Sequence, residues 1–126
     1  MELLNKIEAL EKMADQFGFR WETTTQIMNQ IHSECEEINE HLHQAPEQRN
    51  QAELQEEIGD LLHAVFSLCV FCKLNPRETL AKTVKKFERR LMAVQAIAQE
   101  QGLTNLEGHS FEQLMRIWDE AKKLSK

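Results

Sequence analysis

An all-α fold, an antiparallel bundle of about five helices, is predicted by three features of this chain. Only four Gly and two Pro interrupt 126 residues, and those are the strongest breakers of regular structure. Glu, Lys, Gln, Leu and Ala are abundant, and all of them favour helix. Apolar residues also recur at steps of three and four in successive segments, the period of a helix with one buried face. The length suits a single domain over residues 1–126 with one modest core. With 41% hydrophobic and 29% charged residues, the composition is that of a globular chain and not a disordered one.

The elements follow in order. A first helix runs from about Glu2 to Gln16 and stops at Phe17-Gly18-Phe19. Thr23 with Gln26 makes a capping box, opening a second helix over about 23–44. Its stripe is Ile27, Ile31, Cys35, Ile38 and Leu42. The stretch "QAPEQRNQ" is a connecting loop, and a third helix spans about Ala52 to Lys73. Asn75 is placed to cap a fourth helix, with Pro76 at its first position and Glu78 in its first turn, all favourable there. That helix carries Leu80, Val84, Phe87, Leu91, Val94 and Ala98 and ends near Gly102. Ser110 with Gln113 caps the last helix, which carries Phe111, Leu114, Met115 and Trp118.

The third helix changes character along its length. Leu54, Ile58, Leu61 and Leu62 give its first half one apolar side, whereas "LLHAVFSLCVFC", residues 61–72, is apolar nearly all round. A helix without a polar face is buried on every side. A bundle of this size cannot do that alone, so a homodimer or homotetramer with this helix at the contact is expected.

Charge and cysteine usage remove several classes of function. A net charge of -6 disfavours a nucleic-acid binder, which presents a basic surface. It leaves room for a phosphorylated small molecule, because a bound cation reverses the local sign of a site. The N-terminus "MELLNKIEALEKM" is acidic and helical in period, unlike a signal peptide, and the apolar run near residues 64–72 is too short to cross a bilayer. The three cysteines, Cys35, Cys69 and Cys72, read as reduced thiols of a cytoplasmic protein. The Cys69/Cys72 pair has no second pair with which to complete a zinc site, so burial as small hydrophobes is expected.

"SECEEINEHLH", residues 33–43, contains four glutamates. At 100° per residue, Glu34 falls about 60° from the stripe's centre and Glu37 about 120°, on one flank. Glu36 and Glu40 point away, and His41 and His43 drop out of the candidate set. In the third helix Glu57 and Asp60 form a second i, i+3 pair around Gly59. A mid-helix Gly costs about 1 kcal/mol relative to Ala, so Gly59 is either simply tolerated or marks the close approach of a helix or ligand. Two such acid pairs on consecutive helices can build one four-carboxylate cluster. Hard oxygen ligands of that kind select Mg²⁺ or Mn²⁺.

With these residues in view, the chain resembles the MazG-type all-α nucleoside triphosphate pyrophosphohydrolases. Their signature is ExxE, a spacer, then ExxD. Here it reads "ECEE" (Glu34, Glu37), 19 intervening residues and "EIGD" (Glu57, Asp60). "RWETTTQ", "VKKFERRLMAVQ" and "FEQLMRIWDEAKK" are similar to further family segments, in order, along nearly the whole chain. The resemblance implies hydrolysis of a nucleoside triphosphate, a deoxy or modified one included, to the monophosphate and pyrophosphate. It implies that Glu34, Glu37, Glu57 and Asp60 bind Mg²⁺ (Mn²⁺ in its place), which neutralises the phosphates and activates a water for attack on the α-phosphorus. It also implies that Lys86 and Arg90 contact phosphate and that Trp21, Trp118 and Lys122 lie at the nucleotide. The chain departs from the family at Val84, where Asn is common, and at Ser33, which replaces an acid.

Two other readings compete. One is a non-catalytic helical interaction module, since fold alone does not establish activity. The other is a carboxylate-bridged di-iron bundle using Glu-x-x-His pairs, for which the chain offers Glu40 with His43 and, with Asp in place of Glu, Asp60 with His63.

Overall fold

A computed structural model describes residues 2–126. It contains five α-helices: α1 (Glu2–Phe17), α2 (Thr24–Leu42), α3 (Gln51–Phe71), α4 (Pro76–Glu100) and α5 (Phe111–Leu124), with a 3₁₀ turn at Pro46–Gln48 between α2 and α3. There is no strand among the described residues. No helix of the described residues is long and apolar enough to cross a membrane.

The chain forms two compact units, one up to Thr79 and one over Leu80–Lys126. In the first, α3 packs extensively on α2 and more lightly on α1. Its buried apolar residues are Leu4, Ile27, Leu54 and Ala64. Ile27 is fully buried, a contribution of about 2–3 kcal/mol. The second unit centres on Ile97, Ile117 and Ala121, with Ala93, Val94 and Leu106 packed against them.

The helix ends obey local chemistry. Thr23 and Gln26 form the capping box at α2, and Ser110 and Gln113 repeat it at α5. Asn50 caps α3 and Asn75 caps α4, accepting from the backbone N–H of Glu53 and Glu78 respectively. The guanidinium of Arg49 donates to the carbonyls of Leu42 and Gln44, satisfying acceptors that the end of α2 leaves open. Three helices stop alike. Phe19 N–H reaches Ala14 O, Leu103 N–H reaches Ala98 O, and Leu74 N–H reaches Cys69 O. Each is the 6→1 bond of a Schellman turn, which needs a left-handed residue just before its donor. Gly18 and Gly102 fill that place at α1 and α4, but at α3 it is Lys73, with φ 63°.

Several expectations are corrected. On α2 the inward positions are Ile27, Ile31, Glu34, Ile38 and His41; Cys35 and Leu42 are exposed. On α3 they include Leu54, Glu57, Leu61 and Ala64, while Ile58 and Leu62 are exposed. The period of three and four is right in both helices, but the stripe is rotated by one residue at Cys35, Leu42 and Ile58. A polar side chain occupies the inward place, and its apolar neighbour faces out. Cys72 is also exposed and Cys69 half-buried, against the expectation of burial. A Cβ at Gly59 would meet no heavy atom within 4 Å, so close approach by another helix of this chain is not its reason. On α4, Val84, Phe87 and Leu91 remain 53%, 56% and 43% exposed.

Candidate active site

Both acid pairs lie in the first unit, on the two helices that pack most closely. The capping box fixes where α2 starts, and Asn50 fixes where α3 starts. Those two starts set the phase at which Glu34 and Glu57 turn inward.

Glu34 is only 7% exposed. Its Oε1 accepts from Gln30 Nε2 at 2.7 Å, one turn earlier. Its Oε2 is buried and has no hydrogen-bond partner. Glu57 is half-buried, and its Oε2 lies 3.0 Å from His41 Nε2. That distance allows charge attraction, but the two atoms are not aligned as a hydrogen bond, so Glu57 Oε2 is also without a hydrogen-bond partner. His41 Nδ1 is the third such atom. These are the only buried side-chain polar atoms without a hydrogen-bond partner among the described residues; all three lie on α2 and α3, two of them in the His41–Glu57 pair.

Glu37 and Asp60 are the outer members of the pairs, and both are exposed. The Glu37 carboxyl is held above its ordinary value, first by the charge of Glu34, then by desolvation, then by Glu57, Glu40 and Asp60. Glu37 is therefore close enough to feel the other three acids of the two pairs, and Glu40 with them. Glu36 and Glu40 are exposed, as their phase predicts.

Buried polar atoms without partners are costly, and each needs a physical explanation. Here two carboxylate oxygens and a mutual repulsion all call for positive charge, and the donor set fits a hard divalent cation. Among the described residues, no three acidic, His or Cys side chains are already gathered as a metal-holding group. The fit thus rests on donor chemistry and uncompensated charge.

His41 is the residue that sequence reasoning missed. Helical phase read from the apolar stripe excludes it along with His43, yet it takes the inward place expected of Leu42. The available signal was its spacing, since Glu34, Ile38 and His41 continue the steps of four and three from Ile31. His43 instead donates Nδ1–H to the Asn39 carbonyl, and His63 lies against Glu11 of α1. Neither histidine converges with the acid that the di-iron reading assigned to it.

The second unit holds Lys86, Arg90, Trp118 and Lys122 and brings some of them together. The Arg90 guanidinium stacks over Trp118 at 5.7 Å from the ring centroid, a cation–π contact. Phe87 packs on the same indole, with centroids 6.2 Å apart and planes tilted by 56°. Lys122 pairs with Asp119 at 3.6 Å, and Lys86 is exposed. Trp21, in the first unit, is half-buried and lines a cavity of about 1140 Å³ beside α1 and the end of α3.

The class that the fold and these residues define is an all-α chain with two acid pairs on consecutive, packed helices. Residues 22–95 match the MazG nucleotide pyrophosphohydrolase domain, and the chain belongs to that family. The matched span holds all four acids together with Lys86 and Arg90. The chain is similar to the nucleoside triphosphate pyrophosphohydrolase/pyrophosphatase MazG of Thermotoga maritima, 30% identical over 119 residues, which are 94% of this chain and 44% of that protein. It is similar to the nucleoside triphosphate pyrophosphohydrolase of Escherichia coli K12, 30% identical over 120 residues, 95% of this chain and 44% of that protein. The uncharacterized protein YabN of Bacillus subtilis is 36% identical over 80 residues, 64% of this chain and 16% of that protein. The chain thus spans less than half the length of these relatives.

Proposed function

We propose that this chain hydrolyses a nucleoside triphosphate, a deoxy or modified one included, to the monophosphate and pyrophosphate. Glu34, Glu37, Glu57 and Asp60 hold Mg²⁺ for this reaction, with Mn²⁺ able to replace it. The observation that carries the reading is the stranded charge on α2 and α3: two buried carboxylate oxygens without hydrogen-bond partners and a Glu37 carboxyl pushed up by its neighbours. The bound cation supplies Lewis acidity and charge neutralisation toward the phosphate oxygens. Gln30 holds one oxygen of Glu34, and the other is left without a hydrogen-bond partner, free to take a cation. Lys86 and Arg90 contribute charge-assisted bonds to phosphate, with Lys122 as a further cation and Trp118 and Trp21 as stacking surfaces for the nucleotide.

The test is substitution of the inner and outer ligands. Glu34→Gln and Asp60→Asn each abolish pyrophosphate release with Mg²⁺ while leaving helical circular dichroism unchanged. Retained activity in either variant removes that residue from the ligand set. Activity abolished in neither removes the site.

The same chain forms a homodimer or homotetramer through α3. Ile58, Leu62 and Val65 follow one another at steps of four and three and remain 42%, 55% and 40% exposed. A stripe of that kind is unusual on a monomer's surface. Light scattering at micromolar concentration gives an oligomer that Leu62→Glu dissociates; a monomeric parent contradicts this. Free Cys35, Cys69 and Cys72 suit a reducing, cytoplasmic setting.

A further inference from the structure

The four-acid site leaves His41 without a role. This residue lies in the last turn of α2, outside both acid motifs. Its side chain is only 15% exposed and that of Glu57 22%. Nδ1 is buried without a hydrogen-bond partner. Nε2 lies 3.0 Å from Glu57 Oε2, but the two are not aligned as a hydrogen bond. An imidazole and a carboxylate thus stand side by side, each with a buried atom whose need for a partner is unmet.

A plain ion pair has a different shape. An imidazolium facing a carboxylate closes into a short, straight, charge-assisted hydrogen bond. The contact here is bent, as it is between two atoms that bind one cation side by side. With bonds of about 2.1 Å at right angles, two such ligand atoms stand about 3.0 Å apart, and each directs its lone pair at the ion instead of at the other. A further donor is at hand. Glu37 is four residues before His41, one turn back on nearly the same face. Its side chain is exposed, so packing does not confine it, and it feels the charge of Glu57. The C-terminal turn of a helix is its negative end, so the backbone of α2 adds to the attraction for a cation at His41.

We propose that His41 is a nitrogen ligand, through Nε2, of the cation that the acid pairs hold, and that it makes this site prefer Mn²⁺ to Mg²⁺. The inference rests on the cation site of the pyrophosphohydrolase reading and adds which ion that site selects. Carboxylates alone suit Mg²⁺ and Mn²⁺ alike. Imidazole suits transition metals, whereas Mg²⁺ takes oxygen ligands and gives up its waters reluctantly. A mixed oxygen and nitrogen set therefore separates two ions that four acids do not.

The test reads the metal itself, without turnover. Electron spin echo envelope modulation of the full chain loaded with Mn²⁺ shows the ¹⁴N coupling of a directly bound imidazole, and His41→Gln loses it. Gln keeps an amide that can hydrogen-bond to Glu57, so a merely structural role of His41 survives the change and the nitrogen coupling does not. By calorimetric titration the parent binds Mn²⁺ more tightly than Mg²⁺. His41→Gln weakens Mn²⁺ binding by about tenfold or more, the loss that even a group behind a ligand causes, and changes Mg²⁺ binding much less. Bound Mn²⁺ without ¹⁴N coupling in the parent, coupling that persists in His41→Gln, or equal affinity of the parent for the two ions overturns the inference and leaves the four-acid site standing. A parent that binds neither ion defeats the cation site and the inference with it. Should His41→Gln fail to fold, the parent's spectrum and its two affinities decide.

Discussion

Neutralising Glu34 should stabilise the metal-free protein and abolish its response to metal. Glu34 is 7% exposed, with one oxygen held by Gln30 at 2.7 Å and the other without a partner. An uncompensated buried charge costs about 3–5 kcal/mol. Converting the Gln30 contact from a charge-assisted to a neutral hydrogen bond gives back about 1 kcal/mol, and the new amide N–H₂ also lacks a partner. The net for Glu34→Gln in chelator is therefore a gain of about 1–3 kcal/mol, or roughly 5–10 °C in Tm for a chain of this size. Excess Mg²⁺ or Mn²⁺ should raise the parent by about 2.7 kcal/mol at a hundredfold excess over Kd and leave the variant unmoved. Thermal melts followed by circular dichroism, with EDTA and with each metal, decide the matter. A variant that melts below the parent in EDTA, or that keeps the full metal shift, refutes the reasoning.

Further outcomes follow from the same geometry. Because Glu34, desolvation and the other acids raise the Glu37 carboxyl, the folded chain binds that proton more tightly than the unfolded chain does. The resulting stabilisation is fully present below the ordinary carboxylate value and is lost as pH rises through the raised one. Melts in EDTA should fall over that window, and Glu37→Gln should flatten the fall. Gly59 has open space at its Cβ position, so Gly59→Ala should add about 0.5–1 kcal/mol by urea denaturation; a loss would mean that a second copy or a ligand closes on it. Lys73 holds a left-handed backbone at φ 63°, and Lys73→Gly should add about 0.5–1 kcal/mol in the same assay.

The helices were legible because their signals are local. Thr23 with Gln26, Asn75 with Pro76, and Ser110 with Gln113 act within one turn, and each starts its helix where its side chain says. Burial was less legible because it depends on what each face meets. Hydrophobicity favoured Cys35, Leu42 and Ile58 as inward residues, whereas the fold turns Glu34, His41 and Glu57 inward. A site that stores uncompensated charge departs from the pattern by which a core is read. Glu34 and Glu37 could be separated from Glu36 and Glu40 by helical phase alone. The link from Glu11 to His63 and Ser67 could not be foreseen, because it joins residues 52 and 56 positions apart through a helix contact that no local period encodes.

Product identity tests the central claim most directly. The chain, loaded with Mg²⁺ and supplied with a panel of nucleoside triphosphates, should yield equimolar nucleoside monophosphate and pyrophosphate by ³¹P NMR, and chelation should stop the reaction. Diphosphate with orthophosphate as the products, or no turnover and no metal-dependent nucleotide binding across the panel, would contradict it.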